Sequence, residues 1–260
     1  MLKGKNAIVT GSTSGIGNAV AVALAREGCN IILNGFGDSA AIDTLVRSMQ
    51  EKHRVTVDYS PADMTRPNEI KEMVEMAQKR FGNVDILVNN AGIQHTDRIE
   101  NFPEDKWDAI IAINLSAAFH AIRHSIGGMQ QRGFGRIINI ASVHGLVASV
   151  NKSAYVAAKH GIVGLTKVVA LENAQSNITC NAICPGWVHT PLVQKQIDAL
   201  AEREHIDTEA ATKKLLGEKQ PSMRFVQPEQ IGGMVVFLCG PNASAMTGEM
   251  MTMDGGWLAQ

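Results

Sequence analysis

Three things are missing from this sequence: a cysteine framework, an excess of charge of one sign, and a long hydrophobic run. The 260 residues contain 4 cysteines, Cys29, Cys180, Cys184 and Cys239, whose scatter matches neither a disulfide scaffold nor paired metal ligands. Three of them lie in apolar strand-like or helix-like stretches, so buried reduced thiols, a cytoplasmic location and no metal site are expected. Basic and acidic side chains nearly cancel, 24 against 25, and no basic run or stripe stands out. Nucleic acid and an anionic membrane surface are therefore not the expected partners. No uninterrupted apolar run approaches the ~18 residues of a membrane span. Strand-like sequence begins almost at once, which leaves no expected signal peptide.

What is present is alternation. Short β-rich runs near 6–10, 30–34, 55–59, 84–89, 136–141, 178–183 and 249–253 are separated by helical patterns. This alternation predicts an α/β fold, a Rossmann-like doubly wound parallel sheet of about seven strands with helices on both faces. No repeat, low-complexity tract or linker interrupts it, so residues 1–260 read as one domain with a substantial core. The steady pattern fails over 189–225, where Leu192, Val193, Ile197 and Leu200 recur at helical spacing before an Asp207-Thr208 helix start and Pro221 beyond its end. A small helical lid over a site is expected there, with an ungated surface helical pair as the alternative.

Doubly wound sheets bind ligands beyond the carboxyl ends of their strands, and the distinctive residues fall there. Gly11, Gly15 and Gly17, within Thr10-Gly11-Ser12-Thr13-Ser14-Gly15-Ile16-Gly17, follow the apolar run 6–9 and open a helical run. Glycines so placed permit a tight turn and let backbone N–H groups approach a pyrophosphate at a helix N-terminus. Asn89-Asn90-Ala91-Gly92 and Ser142 end two further strand candidates, Asn114 lies in a helical run, and Pro185-Gly186 follows the sixth strand. Tyr155 and Lys159 carry the chemistry, because a four-residue helical spacing stacks an ammonium beside a phenol. A cation about 4 Å away at an effective dielectric of about 20 favours the phenolate by at most roughly 4 kcal/mol. That predicts a lowered tyrosine pKa and a general acid/base working near neutral pH.

In this order, T-G-x-x-x-G-x-G, N-N-A-G, Asn114, Ser142, Y-x-x-x-K and P-G resemble the short-chain dehydrogenase/reductase family over essentially the whole chain. The resemblance implies a nicotinamide-dependent oxidoreductase and a homotetramer. It implies that Tyr155 exchanges the substrate's hydroxyl proton, Ser142 hydrogen-bonds the reacting oxygen, Lys159 holds the nicotinamide ribose and Asn114 anchors a proton-relay water. By the same resemblance the cofactor touches Gly11, Thr13, Gly15, Ile16, Gly17, Phe36, Asp63, Asn90, Ala91, Gly92, Tyr155, Lys159, Pro185, Gly186, Val188 and Thr190. NAD is expected over NADP because no Lys or Arg lies in 12–17 or 34–38, although Gly35 stands where NAD-using members often carry Asp. Apolar faces on the helical segments 104–132 and 153–175 are where copies of the chain would pair.

Four polar side chains near Tyr155 lie outside the shared machinery: Gln94, His144, Lys152 and Gln196. They offer donors, one of them cationic, as an anionic carboxylate requires. The set resembles the carboxylate site of family members that act on a small anionic 3-hydroxy acid. Trp187 and Trp257 join Ser142 and Tyr155 in the expected substrate set. Two other readings stay open. A family member acting on acyl-carrier-protein thioesters or sugars would share the catalytic residues but not need these four donors together. A non-enzymatic NAD-binding regulator would keep the glycine turn without a reason to keep Ser142, Tyr155 and Lys159 in register.

Overall fold

A computed structural model describes residues 2–259. Strands β1 (Asn6–Val9), β2 (Asn30–Asn34), β3 (Val57–Ser60), β4 (Ile86–Asn89), β5 (Gly135–Ile140), β6 (Ile178–Pro185) and β7 (Met250–Met253) form one sheet in the order β3-β2-β1-β4-β5-β6-β7. Every pairing is parallel. Parallel strands are buried on both faces and so read as nearly continuous aliphatic runs. Alternate residues divide accordingly. Val9, Leu33, Val88 and Ile138 face a core shared with helices α1 (Gly15–Arg26) and α9 (Pro228–Cys239). Ile8, Ile32, Leu87 and Ile137 face α3 (Pro67–Phe81), α5 (Ala117–Arg132) and α6 (Ser153–Glu172) on the other side. A further helix, α2 (Ser39–His53), starts at an Asp38 side chain that accepts from Ala41 N.

The chain winds outward from β1 to β3, then returns to place β4 on the other side of β1. That reversal opens a crevice at the carboxyl ends of β1 and β4, where ligands of doubly wound sheets sit. The long segment expected over 104–132 is not one regular helix. It is α4 (Glu104–Ile111), a π-helical turn over Ala112–Ser116, and α5. Glu104–Arg132 and Ser153–Glu172 are long and apolar enough to cross a bilayer, but Ala121, Ile122, Met129, Val169 and Ala170 on them pack into the core beside the sheet.

The insert over 189–225 contains two helices, α7 (Pro191–Glu204), capped by Thr190, and α8 (Thr208–Gly217), capped by Asp207 as its sequence predicts. Val193, Ile197 and Leu200 of α7 pack with Ala211 of α8 in a small core of their own. The insert's ends are pinned together by the bridge between Val188 and Val226. All four cysteines are buried and free.

Candidate active site

The glycine turn between β1 and α1 is shaped by close backbone approach. Gly11 and Gly15 take positive φ of 63° and 54°, conformations that cost most residues free energy. A Cβ on Gly17 would stand 2.3 Å from the Gly11 carbonyl oxygen. Two side chains hold the turn. The Asn90 carboxamide donates to the Thr10 and Gly11 carbonyls at 2.9 and 3.0 Å. Asn34 accepts from Gly11 N at 3.3 Å while donating to the Ser60 and Ala62 carbonyls at 3.1 and 2.9 Å. Asn34 went unassigned in the sequence, where its signal was a polar residue closing the apolar run Ile31-Ile32-Leu33. Ser14, at the N-cap of α1, makes no side-chain cap bond, and no acidic residue occupies the first turn. The N-terminal N–H groups of α1 are thus left for an external acceptor.

A cavity of about 490 Å³ runs from this turn to the C-terminal tail. Its first half is lined by Gly11, Thr13, Gly15, Ile16, Phe36, Asn90, Ala91 and Gly92, together with Asn34, Gly35, Ala62 and Met64. Its second half is lined by Gln94, Ser142, His144, Lys152, Tyr155, Lys159, Trp187, Gln196 and Trp257, and Pro185, Gly186, Val188 and Thr190 line it too. Three expected site residues are absent from this wall. Gly17 acts beneath it, by letting α1 approach the turn. Asp63 stands just outside it: its carboxylate accepts from Thr65 N and Oγ1, both at 2.8 Å, and so caps its own turn. Those bonds hold its carboxyl below the usual carboxylate range. Ala62 and Met64 on either side line the cavity instead.

Asn114 is the third. Its side chain clamps the Ile93 backbone, accepting from Ile93 N and donating to Ile93 O at 2.9 Å each. It borders a separate cavity of about 10 Å³, shared with Thr10, Asn89 and Lys159, which is roughly the space of one water. The two insert helices differ in their relation to the cavity. Pro191, Leu192, Val193 and Gln196 of α7 reach the cavity, whereas α8 supports α7 without lining it.

Tyr155 and Lys159 lie one turn apart on α6, at the end of β5. The electrostatics reverse the sequence expectation. Lys159 is buried and donates through Nζ to the Ile140 carbonyl at 2.7 Å; burial lowers its pKa to about 8. Burial also pushes the Tyr155 phenol up, opposed by its hydrogen bond with Ser142. The ammonium is 5.5 Å from the Tyr155 ring centroid. Desolvation is the leading cause of both shifts.

At the far end, His144 meets Tyr155 and Trp257 edge-on, with ring centroids 6.0 and 5.4 Å apart. Burial, then the nearby Lys152 cation, lowers the His144 pKa to about 4, so its ring is neutral above that pH. His144 Nδ1 lies 3.4 Å from Ser142 Oγ. The buried atoms His144 Nε2 and Trp187 Nε1 have no hydrogen-bond partner among the described residues. Lys152 Nζ sits 5.5 Å over the Trp187 ring, and burial lowers its pKa. Among the described residues no carboxylate pairs with Lys152. A desolvated ammonium and the Trp187 Nε1 donor, neither paired among the described residues, leave that end short of an acceptor, since buried polar groups are ordinarily paired.

The comparisons with known proteins agree with this geometry. The sequence model of a family described as enoyl-(acyl carrier protein) reductase matches residues 11–258. D-beta-hydroxybutyrate dehydrogenase of Cupriavidus necator is 58% identical over 260 residues, covering 100% of both chains. The enzyme of the same name from Rhizobium meliloti is 53% identical over 98% of this chain and 99% of its own. Among solved structures, L-sorbose reductase of Gluconobacter frateurii, complexed with NADPH and L-sorbose, superposes with a TM-score of 0.95 at 32% identity, covering 100% of this chain and 98% of that one. Sheet order, glycine turn, Tyr155–Lys159 pair and full-length sequence likeness lead to one assignment: the chain belongs to the short-chain dehydrogenase/reductase family.

Proposed function

We propose that this chain is an NAD-dependent dehydrogenase that interconverts (R)-3-hydroxybutyrate and acetoacetate. The observation that carries the reading is the unpaired Lys152 ammonium, set with Gln94, His144 and Gln196 around the cavity that Tyr155 and Ser142 enter. Two full-length relatives bearing the hydroxybutyrate name support it.

The residues fit a nicotinamide dinucleotide. The uncapped start of α1 and the glycine cradle suit a pyrophosphate, and Tyr155 and Lys159 would hold the nicotinamide ribose. Bound there, a nicotinamide would supply hydride transfer and, when oxidised, a positive charge beside these residues. Ser142 Oγ positions the reacting oxygen. Tyr155 takes the hydroxyl proton in oxidation and returns it in reduction. Burial raises the phenol pKa and so favours the acid form, which suits reduction; oxidation requires charge nearby to draw the phenol down. Lys159 supplies one such charge while protonated, below about pH 8. The one-water cavity beside Lys159 and Asn114 has room for a water that could relay the proton from Lys159. Lys152, Gln94, His144 and Gln196 bind the carboxylate, and the indoles of Trp187 and Trp257, 6.3 Å apart, wall the small alkyl end.

NAD is preferred because the wall around Asn34, Gly35, Phe36, Ala62 and Met64 contains no cation for a 2′-phosphate. The nearest cation in sequence, Arg66, is exposed and paired with Asp63 and Glu69. Wild type should use NAD at least about tenfold better than NADP in kcat/KM, the cost of an unpaired phosphate charge. Equal values for the two would defeat the assignment. Converting Gly35 to Asp is a poor probe of it, because Gly35 has φ 145° and a Cβ there would sit 2.6 Å from Thr13 Oγ1.

The functional reading itself is tested by following reduced nicotinamide absorbance with hydroxy acids, neutral secondary alcohols, polyols and acyl thioesters. The 3-hydroxy acid should be turned over best; a polyol or thioester equal to it would return the site to a general family dehydrogenase. We further propose a cytoplasmic homotetramer. Trp107, Phe119, Val168 and Leu171 expose large apolar side chains on α4, α5 and α6, the faces that copies would cover. Light scattering should give a four-subunit mass, and a monomer at micromolar concentration would refute the assembly.

A further inference from the structure

Gln220 is fully buried, yet it belongs to no helix or strand and does not line the cavity. Its carboxamide spans two backbone groups. Oε1 accepts from Trp187 N at 2.8 Å, and Nε2 donates to the Arg224 carbonyl. The oxygen faces an N–H and the nitrogen a carbonyl, so one orientation of the amide satisfies both. Its slot has glycine walls. A Cβ on Gly186 would stand 2.6 Å from Gln220 Oε1, and one on Gly255 2.7 Å from Gln220 Cγ.

The Trp187 carbonyl is held by the same stretch of chain, accepting from Val226 N at 2.9 Å. Both backbone groups of Trp187 are therefore fixed by the segment that returns from the insert, and by Gln220 through a side chain. The Trp187 indole in turn faces Trp257 at 6.3 Å and lies under the Lys152 ammonium at 5.5 Å.

We propose that Gln220 is a positioning residue for the substrate carboxylate, acting through the Trp187 backbone to set the indole against which Lys152 is held. Gln220 touches no substrate. Its amide fixes the tryptophan, and the tryptophan face, attractive to a cation, fixes where the ammonium stands.

Resting on the hydroxy-acid reading above, Gln220→Met should raise KM for 3-hydroxybutyrate on the order of tenfold, with kcat within about twofold and the NADH dissociation constant unchanged. Gln220→Glu keeps an acceptor for Trp187 N and should stay within about threefold of wild-type KM. A residue that merely fills space gives the opposite order, because methionine matches the volume and a buried carboxylate is the worse guest. In a Trp187→Ala background the methionine penalty should shrink to within about twofold, since the indole it positions is gone. If Gln220→Met does not fold, Gln220→Asn, too short to reach both partners, should show the same loss.

A substrate-independent measurement separates this inference from the reading it rests on. Neighbouring indoles give an exciton couplet in circular dichroism, and the Trp187–Trp257 couplet should weaken in Gln220→Met while helical content and NADH binding persist. A lost couplet in an enzyme whose wild type ignores hydroxy acids would refute the substrate and keep the positioning role. An intact couplet with unchanged KM, a kcat loss in place of a KM loss, or additivity with Trp187→Ala would overturn the inference.

Discussion

Tyr155→Phe is expected to lower kcat by about 10²- to 10⁴-fold, the range typical of a positioned acid/base, while NADH still binds. The substitution removes one oxygen. The neighbouring ring contact with His144, at 6.0 Å, is available to phenylalanine as well, so the pocket keeps its shape. What is lost is the transferable proton beside Ser142. The pH dependence distinguishes this loss from misfolding. In wild type, oxidation should quicken as pH rises, because the base form of a phenol with a raised pKa grows with pH. Reduction should slow over the same range, because the acid form is depleted. The residual activity of Tyr155→Phe should lose this opposition of slopes. Lys159→Ala should in addition weaken NADH binding if the lysine holds the ribose; an unchanged dissociation constant leaves it the electrostatic role alone. Retention of more than about a tenth of wild-type kcat by Tyr155→Phe would remove Tyr155 from the mechanism.

The fold was legible because parallel strands need both faces covered. Ile31-Ile32-Leu33 in β2 carries no alternation, and its boundary at Asn34 coincides with a change from packing to ligand-facing chemistry. Gly11, Gly15 and Gly17 were legible as a cradle because glycine there is required by backbone contact rather than by choice of side chain. The missing pieces are those that depend on depth and on irregular backbone. Helical spacing places Lys159 beside Tyr155, but it carries no information on how far each is removed from water, and that depth decides the direction of the Tyr155 shift. The same limit applies to Asp63, whose place after β3 is legible but whose bonds to Thr65 are not. Asn114 read as a residue in an ordinary helix; the π turn around it has no periodic signature, so the Ile93 clamp was not foreseeable. Gln220 lies in a stretch with no pattern at all and takes its meaning from Trp187, distant in sequence.

Lys152→Ala should cost roughly 1.5–3 kcal/mol, about 10- to 150-fold in kcat/KM for 3-hydroxybutyrate, the range for a charge-assisted hydrogen bond to a carboxylate. The site's composition explains why the effect should be this large. His144 is neutral above about pH 4, and Gln94 and Gln196 are neutral amides, so Lys152 is the one cation among these four side chains. Removing it leaves a bound anion with dipoles alone. His144 and Gln196 substitutions should cost less, because each removes one neutral donor and leaves the ammonium. Burial lowers the Lys152 pKa, which adds a pH signature. As pH rises through that lowered value the free enzyme loses its cation, so KM for the hydroxy acid should climb at alkaline pH sooner than an ordinary lysine would allow. No such climb is expected in Lys152→Ala. A neutral secondary alcohol of similar size presents no charge, so the same substitution should change its kcat/KM far less. Malonate should inhibit wild type competitively and the mutant weakly. Turnover of the neutral alcohol as good as that of the hydroxy acid, or a Lys152→Ala enzyme indistinguishable from wild type with both, would show that this ammonium meets no substrate anion.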